Sequence, residues 1–270
     1  MRKALLLWAL LGFGCAPEAK VIDSPLVQHI EKGKEAAPEK VFDHSVWNEL
    51  LAAASLPAES KVRYQVFLDR KAELESYLQA LADADLKSLN RDEQMALLIN
   101  AYNAYTVKLI LEKYPAIKSI KDIDDPWKQK RWVVGGETLS LDDIEHGLLR
   151  PIYKDPRIHF AVNCASIGCP PLADFAFTGP KLEAQLESVT SSTLKNPAYA
   201  RLSGSTLELT SILDWYGSDF TNTSFKGHQK TVAAYVANYS TPEVKKVVEA
   251  ANGDPKVSFI PYDWKLNDKL

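Results

Sequence analysis

The segment His159-Phe160-Ala161-Val162-Asn163-Cys164-Ala165-Ser166-Ile167-Gly168-Cys169-Pro170-Pro171 holds the side chains most suited to chemistry, with an apolar run entering a turn of small residues that has a thiol at each end. A thiol attacks only as thiolate, and an imidazole or a helix N-terminus beside it lowers its pKa. Cys164 is the candidate nucleophile on this reading, with His146 and His159 as candidate bases. If Arg157 to Asn163 is a straight strand, about 3.3 Å per residue puts His159 roughly 16 Å from Cys164 and on the opposite face. His146 lies on a separate helix and escapes that restriction, so it is the better base, with Glu145 as its orienting group. Asn100 and Asn103 share one face of a helix and either cross-link the core or line a site. Asn100 joins the catalytic candidates as an oxyanion donor together with the amides of the Ala165 to Gly168 turn. Asn103, Asn163 and Ser166 are candidates for binding substrate.

A competing use of the two thiols follows from the compartment. In an oxidising envelope, Cys164 and Cys169 are candidates for a structural disulfide closing a small loop. The module would then bind a ligand without catalysis. A reversible redox pair is a third use, though C-x4-C suits it less well than C-x-x-C does. The same spacing, with no second pair nearby, matches no zinc pattern, so no metal or other cofactor is expected.

The compartment is read from the N-terminus. Arg2 and Lys3 precede Ala4-Leu5-Leu6-Leu7-Trp8-Ala9-Leu10-Leu11, a charge step and apolar core of signal-peptide type, too short to span a bilayer permanently. Gly12-Phe13-Gly14-Cys15 resembles a bacterial lipobox, with Gly12 where Leu is more usual. Residues 1–15 are thus expected to be a lipoprotein-type signal with lipid attached at Cys15, and residues 16–41, rich in Pro, Lys, Glu and Ala, a flexible tether. The expected location is the periplasmic face of the outer membrane, or the periplasm or exterior if the leader is simply cleaved. A formal net charge of −3 gives no basic field for polyanions, so nucleic acid is not an expected partner. A small molecule, a peptide or an envelope protein is, and membrane contact is expected only through Cys15.

The elements that must position these residues follow from periodicity. Val46, Leu50 and Leu51 recur at helical spacing, and Tyr64 to Leu81 does so again. Asn90 with Glu93 resembles a capping box opening a largely apolar, central helix that runs towards Tyr114. Arg131 to Val134, Gly135-Gly136 and Glu137 to Ser140 read as a hairpin, followed by a short helix capped by Ser140 or Asp142 and ended before Pro151. Strands are expected at Arg157 to Asn163, Leu207 to Leu213 and Val257 to Tyr262. Further helices are expected at Lys181 to Leu194, Gly227 to Asn238 and Pro242 to Ala251. Helices come first and strands mix in without βα alternation, so the class is α+β: a helix-rich N-terminal half on a small, mostly antiparallel sheet, as one domain over residues 42–268. The tryptophans at 127, 132, 215 and 264 read as core or rim.

Several of these stretches together resemble the family known as domain of unknown function 547. The matching pieces are Phe42-Asp43-His44-Ser45 with Trp47, Ile99-Asn100-Ala101-Tyr102-Asn103-Ala104, Leu141-Asp142-Asp143-Ile144-Glu145-His146, and Arg157 to Ser166. Gly168-Cys169-Pro170-Pro171-Leu172 and Tyr262-Asp263-Trp264-Lys265-Leu266-Asn267 complete the series. The resemblance implies a shared globular domain and no agreed activity. Its polar positions fall at Asn100, Asn103, Glu145, His146, His159 and Cys164, which favours a common pocket for a thiol-dependent hydrolase or acyl transferase.

Overall fold

The computed structural model describes residues 19–33 and 40–269. The leader and Cys15 lie outside the described residues.

The centre of the molecule is a helix of 21 residues, Arg91–Leu111, whose apolar side chains run nearly all round it, so that it is enclosed by neighbours rather than laid on a surface. Asn90 starts it by accepting the Glu93 N–H at 2.9 Å. The expected capping box is only half made, because the Glu93 carboxylate turns inward to accept the N–H groups of Phe42 and Gly179. In chain order the helices are α1 (Pro25–Gly33), α2 (Ser45–Ala54), α3 (Tyr64–Asp69), α4 (Lys71–Ala82), the central α5 (Arg91–Leu111), α6 (Leu182–Lys195), α7 (Ile212–Trp215), α8 (Gly217–Thr221), α9 (Val232–Ala237) and α10 (Pro242–Ala250). Helices α1, α3, α4 and α6 all pack on α5. The stripe expected as one helix from Tyr64 to Leu81 breaks at Arg70, and its two parts keep their apolar faces on α2 and α5.

The α+β class holds, with the strands divided among three small sheets rather than gathered into one. Ser55–Leu56 (β1) pairs with Lys61–Val62 (β2), and Trp132–Val134 (β3) with Glu137–Leu139 (β4), both antiparallel. The third sheet has the order β5 (Ala200–Ser203), β6 (Thr206–Thr210), β7 (Val257–Ile260), in which β5 is antiparallel and β7 parallel to β6.

Four further sequence expectations need correction, each for a local reason. Residues 16–41 are not a free tether throughout: α1 lies within them, and its Leu26 and Ile30 are fully buried against the core. Next, the helix expected to stop before Pro151 continues as a wide, π-type helix, Asp143–Tyr153. Ser140 opens it, accepting the Asp143 N–H at 3.0 Å while Asp143 accepts the Ser140 N–H at 2.9 Å. In this winding the carbonyl of His146 faces Pro151, which has no N–H to give. Lys20 N–H supplies the missing donor at 3.2 Å, and Ile22 N–H reaches Gly147 O at 3.2 Å. A Cβ on Gly147 would lie 2.4 Å from Ile22 Cγ2, so a glycine there is what lets this N-terminal strap dock.

The third correction bears directly on the chemistry. Pro156–Phe160 is a 3-10 turn, not a strand, because Asp155 caps it by accepting the Arg157 N–H at 3.1 Å and Pro156 fixes the first helical position. The apolar character of Arg157 to Asn163 reflects burial rather than extension. Similarly, the strand expected to reach Leu213 ends at Thr210, and α7 follows.

Candidate functional site

The turn that carries the thiols is clamped from three sides. Asn163 accepts the Ala165 N–H on Oδ1 at 2.9 Å and donates from Nδ2 to Pro170 O at 2.8 Å, so one amide ties both ends of the turn. Its own N–H donates to Asn103 Oδ1 at 2.8 Å, and Asn103 Nδ2 donates to Ala161 O at 2.9 Å, which fastens the turn to α5. Asn103 and Asn163 are therefore structural supports of the site, their amides already engaged. Ala165 at φ +62° takes the left-handed conformation that lets the chain double back. The closing segment grips the outside, with Ile167 and Gly168 donating to Lys265 O and Asp263 O, each at 2.9 Å. A Cβ on Gly168 would lie 2.9 Å from the Tyr262 ring. Glycine at 168 is thus what admits Tyr262 beside the thiol.

Doubling back brings Cys164 and Cys169 together, and in this structure both are free thiols. The Cys164 N–H donates to Cys169 Sγ at 3.1 Å. Cys164 is half-buried and Cys169 buried. The Cys164 sulfur lies 3.0 Å from Tyr262 Oη and 3.3 Å from Ser166 Oγ, and Ser166 donates to Tyr262 Oη at 2.8 Å. Hydrogen bonding from the Cys169 thiol is the main influence lowering the Cys164 pKa, opposed by burial and aided by Ser166 and Tyr262. Cys169 moves the other way, raised well above the ordinary thiol value first by burial and then by the neighbouring sulfur. Burial and the same sulfur raise the Tyr262 phenol strongly, which keeps its proton on and makes it a donor.

The two imidazoles gather round Glu145 and Tyr216. Among the described residues the polar partners of the Cys164 sulfur are Cys169, Ser166 and Tyr262. His159 lies 2.8 Å by Nε2 from Asp219 Oδ2 and stacks on Tyr216 with ring centroids 4.1 Å apart. Burial lowers its pKa, and the Asp219 contact acts against this without reversing it. Such a neutral ring donates from Nε2–H to the carboxylate. Arg150 donates to both oxygens of Asp219, at 2.7 and 3.0 Å, and also faces His146 Nδ1 at 3.2 Å. Burial alone would raise the Asp219 carboxyl, but the hydrogen bonds from His159 and Arg150 outweigh it and hold it at about 2. Glu145 Oε1 stands 3.9 Å from the Nδ1 of each imidazole, near both rings and beyond hydrogen-bond reach of either.

Asn100 belongs to a different cluster. Its amide exchanges hydrogen bonds with both backbone groups of Phe177, at 2.7 and 3.0 Å, and approaches His44 Nδ1 at 3.2 Å. The oxyanion role considered for Asn100 meets an amide whose nitrogen already faces Phe177 O and His44 Nδ1. The amides of Ala165, Ile167 and Gly168 are committed likewise. Sequence reasoning missed Asp219 and Arg150 as a buried pair and Tyr262 as the thiol's partner. The position of Tyr262 in the closing motif of the resemblance was the available signal.

Two openings border this region. A cleft of about 710 Å³ runs between the strap residues Ala19 to Val21 and the Arg150–Asp219 pair, with Trp215 on its wall. A smaller one of about 140 Å³ lies between Gly168, Tyr199, Ile260 and Tyr262. Half-buried aromatics rim the thiol side, Tyr262 being 4.8 Å from Trp215 and 4.5 Å from Trp264 between ring centroids. Among the described residues no three His, Cys, Asp or Glu side chains are arranged to hold a metal ion.

Residues 86–192 match the family model described as Protein of unknown function, DUF547, and the chain resembles that family over this stretch, which runs through α5, the π-type helix and the thiol turn. Asp219 and Tyr262 lie beyond it. No curated protein and no solved structure matches the chain.

Proposed function

We propose that Cys164 is the nucleophile of a thiol-dependent hydrolase or acyl transferase, in a protein exported to the bacterial envelope and held there by lipid at Cys15. The observation that carries the reading is the sulfur of half-buried Cys164, with a lowered pKa and 3.0 Å from a phenol that keeps its proton. In the proposed step the Cys164 thiolate bonds to an acyl carbon and the carbonyl oxygen takes up the negative charge, which the Tyr262 hydroxyl stabilises by donation. Collapse expels the leaving group, and water or an acceptor nucleophile then releases the acyl group from sulfur. His146, at 9% exposure more accessible than His159 at 2%, is the imidazole that exchanges protons with these incoming and outgoing groups.

The structure-independent support for export is the leader ending at Cys15. The test of the chemistry is alkylation with iodoacetamide, mapped by mass spectrometry, together with release of p-nitrophenol from p-nitrophenyl esters. Wild type should alkylate first at Cys164 and give a burst stoichiometric with protein, and Cys164→Ser should abolish the burst. A folded protein whose Cys164 resists alkylation, or a burst that survives in Cys164→Ser, refutes the reading. For the anchor, Cys15→Ser should move the protein from the membrane to the soluble fraction.

A further inference from the structure

The acyl-transfer reading uses one of two touching thiols and leaves Cys169 without a task. We propose that Cys164 and Cys169 are the attacking and resolving thiols of a thiol–disulfide exchange site whose substrate is an external disulfide. The proposal rests on the reading of Cys164 as an attacking thiolate and adds a second chemistry to it.

The geometry separates the two sulfurs by role. Cys164 is half-buried, so a disulfide arriving from solvent meets it first, whereas Cys169 is 4% exposed and can be reached by the Cys164 sulfur alone. The Asn163 amide, tied to Ala165 and Pro170, fixes the span of the turn, and the left-handed Ala165 closes it, so that thiols five residues apart are in contact. The Cys164 N–H, aimed at Cys169 Sγ at 3.1 Å, stabilises charge on the second sulfur when it must attack in turn. Tyr262, itself accepting from Ser166, does the same for Cys164 while it is the attacking thiolate. The opposite pKa shifts of the two thiols agree with this division of labour.

The exchange balances in two displacements. The Cys164 thiolate bonds to one sulfur of RSSR, breaking its S–S bond and releasing RS⁻. Cys169, losing its proton to that thiolate, then attacks the Cys164 sulfur, and the second RS⁻ departs and takes up the proton that Cys164 gave on ionising. Two electrons pass from the dithiol to RSSR, leaving two RSH and a Cys164–Cys169 disulfide.

The test uses the reduced full chain carrying Cys15→Ser in every variant, so that Cys164 and Cys169 are its thiols, and oxidised glutathione as the probe. Wild type should lose both alkylatable thiols and retain no glutathionyl group. Cys169→Ala and Cys169→Ser should each stop with one glutathionyl group on Cys164, and Cys164→Ser should stay unmodified. Wild type that retains a glutathionyl group as the Cys169 variants do, or that does not react while iodoacetamide still labels Cys164, overturns the proposal and leaves the nucleophile standing. A Cys164 inert to both reagents overturns the two together.

Discussion

Replacing Tyr262 by Phe removes one hydroxyl from the thiol site and leaves the ring that packs on Trp215 and Trp264. A hydrogen bond to an ionised partner contributes about 1.5–3 kcal/mol. Ser166 Oγ, already 3.3 Å from the sulfur, can turn its hydrogen to it, so part of that is recovered. A net loss of about 1.4 kcal/mol is expected, which corresponds to roughly one pKa unit on Cys164. Below both pKa values the thiolate fraction then falls about tenfold, while the more basic sulfur is intrinsically about threefold more nucleophilic. The alkylation rate should therefore drop about threefold at pH values below both midpoints and exceed that of wild type above them, the two profiles crossing. The assay is the pH dependence of iodoacetamide labelling at Cys164, followed by mass spectrometry on folded protein. Profiles with one midpoint, whether equal in height or uniformly scaled, refute the claim that Tyr262 stabilises the thiolate.

Asn100→Ala should destabilise the protein by about 2–4 kcal/mol in denaturant unfolding, because both backbone groups of Phe177 are left unpaired in the core, and the Cys164 alkylation rate of the folded fraction should not change. For His159, burial lowers the folded-state pKa, so below about pH 6.5 the unfolded chain binds more protons than the folded one. Stability is full above that pH and declines as the pH falls towards the folded-state value. His159→Gln keeps a donor for Asp219 and removes the titration, so the slope of unfolding free energy between pH 7 and 5 should flatten by up to about 1.4 kcal/mol per pH unit. Gly147→Ala should release the strap through its clash with Ile22 at a cost of about 1–3 kcal/mol, visible as faster amide exchange confined to residues 19–33.

The central helix, its cap at Asn90, the hairpin and the α+β class were legible because each is written in local pattern: apolar residues recurring round the helix, an Asn at the start, two glycines at the turn. The thiol turn was legible as a chemical hot spot for the same reason, since small residues and two cysteines stand side by side in the chain. The strand misread at Arg157 to Asn163 shows the limit of apolarity as a signal, because a buried 3-10 turn and a buried strand look alike once burial removes the alternation. Asp155-Pro156 carried the correct answer locally.

What residue pattern cannot encode is which distant groups share a dielectric and a hydrogen bond. Asp219 meets Arg150 and His159 from 60 or more positions away, and Tyr262 reaches Cys164 across 98. Sequence alone determined that a thiol, two imidazoles and several amides were available, because side-chain chemistry is local. Only the tertiary structure decided that phenol and thiol, not imidazole, surround the sulfur, and that His159 is spent on the buried Asp219 carboxylate, because partnership depends on which surfaces the packed core brings into contact.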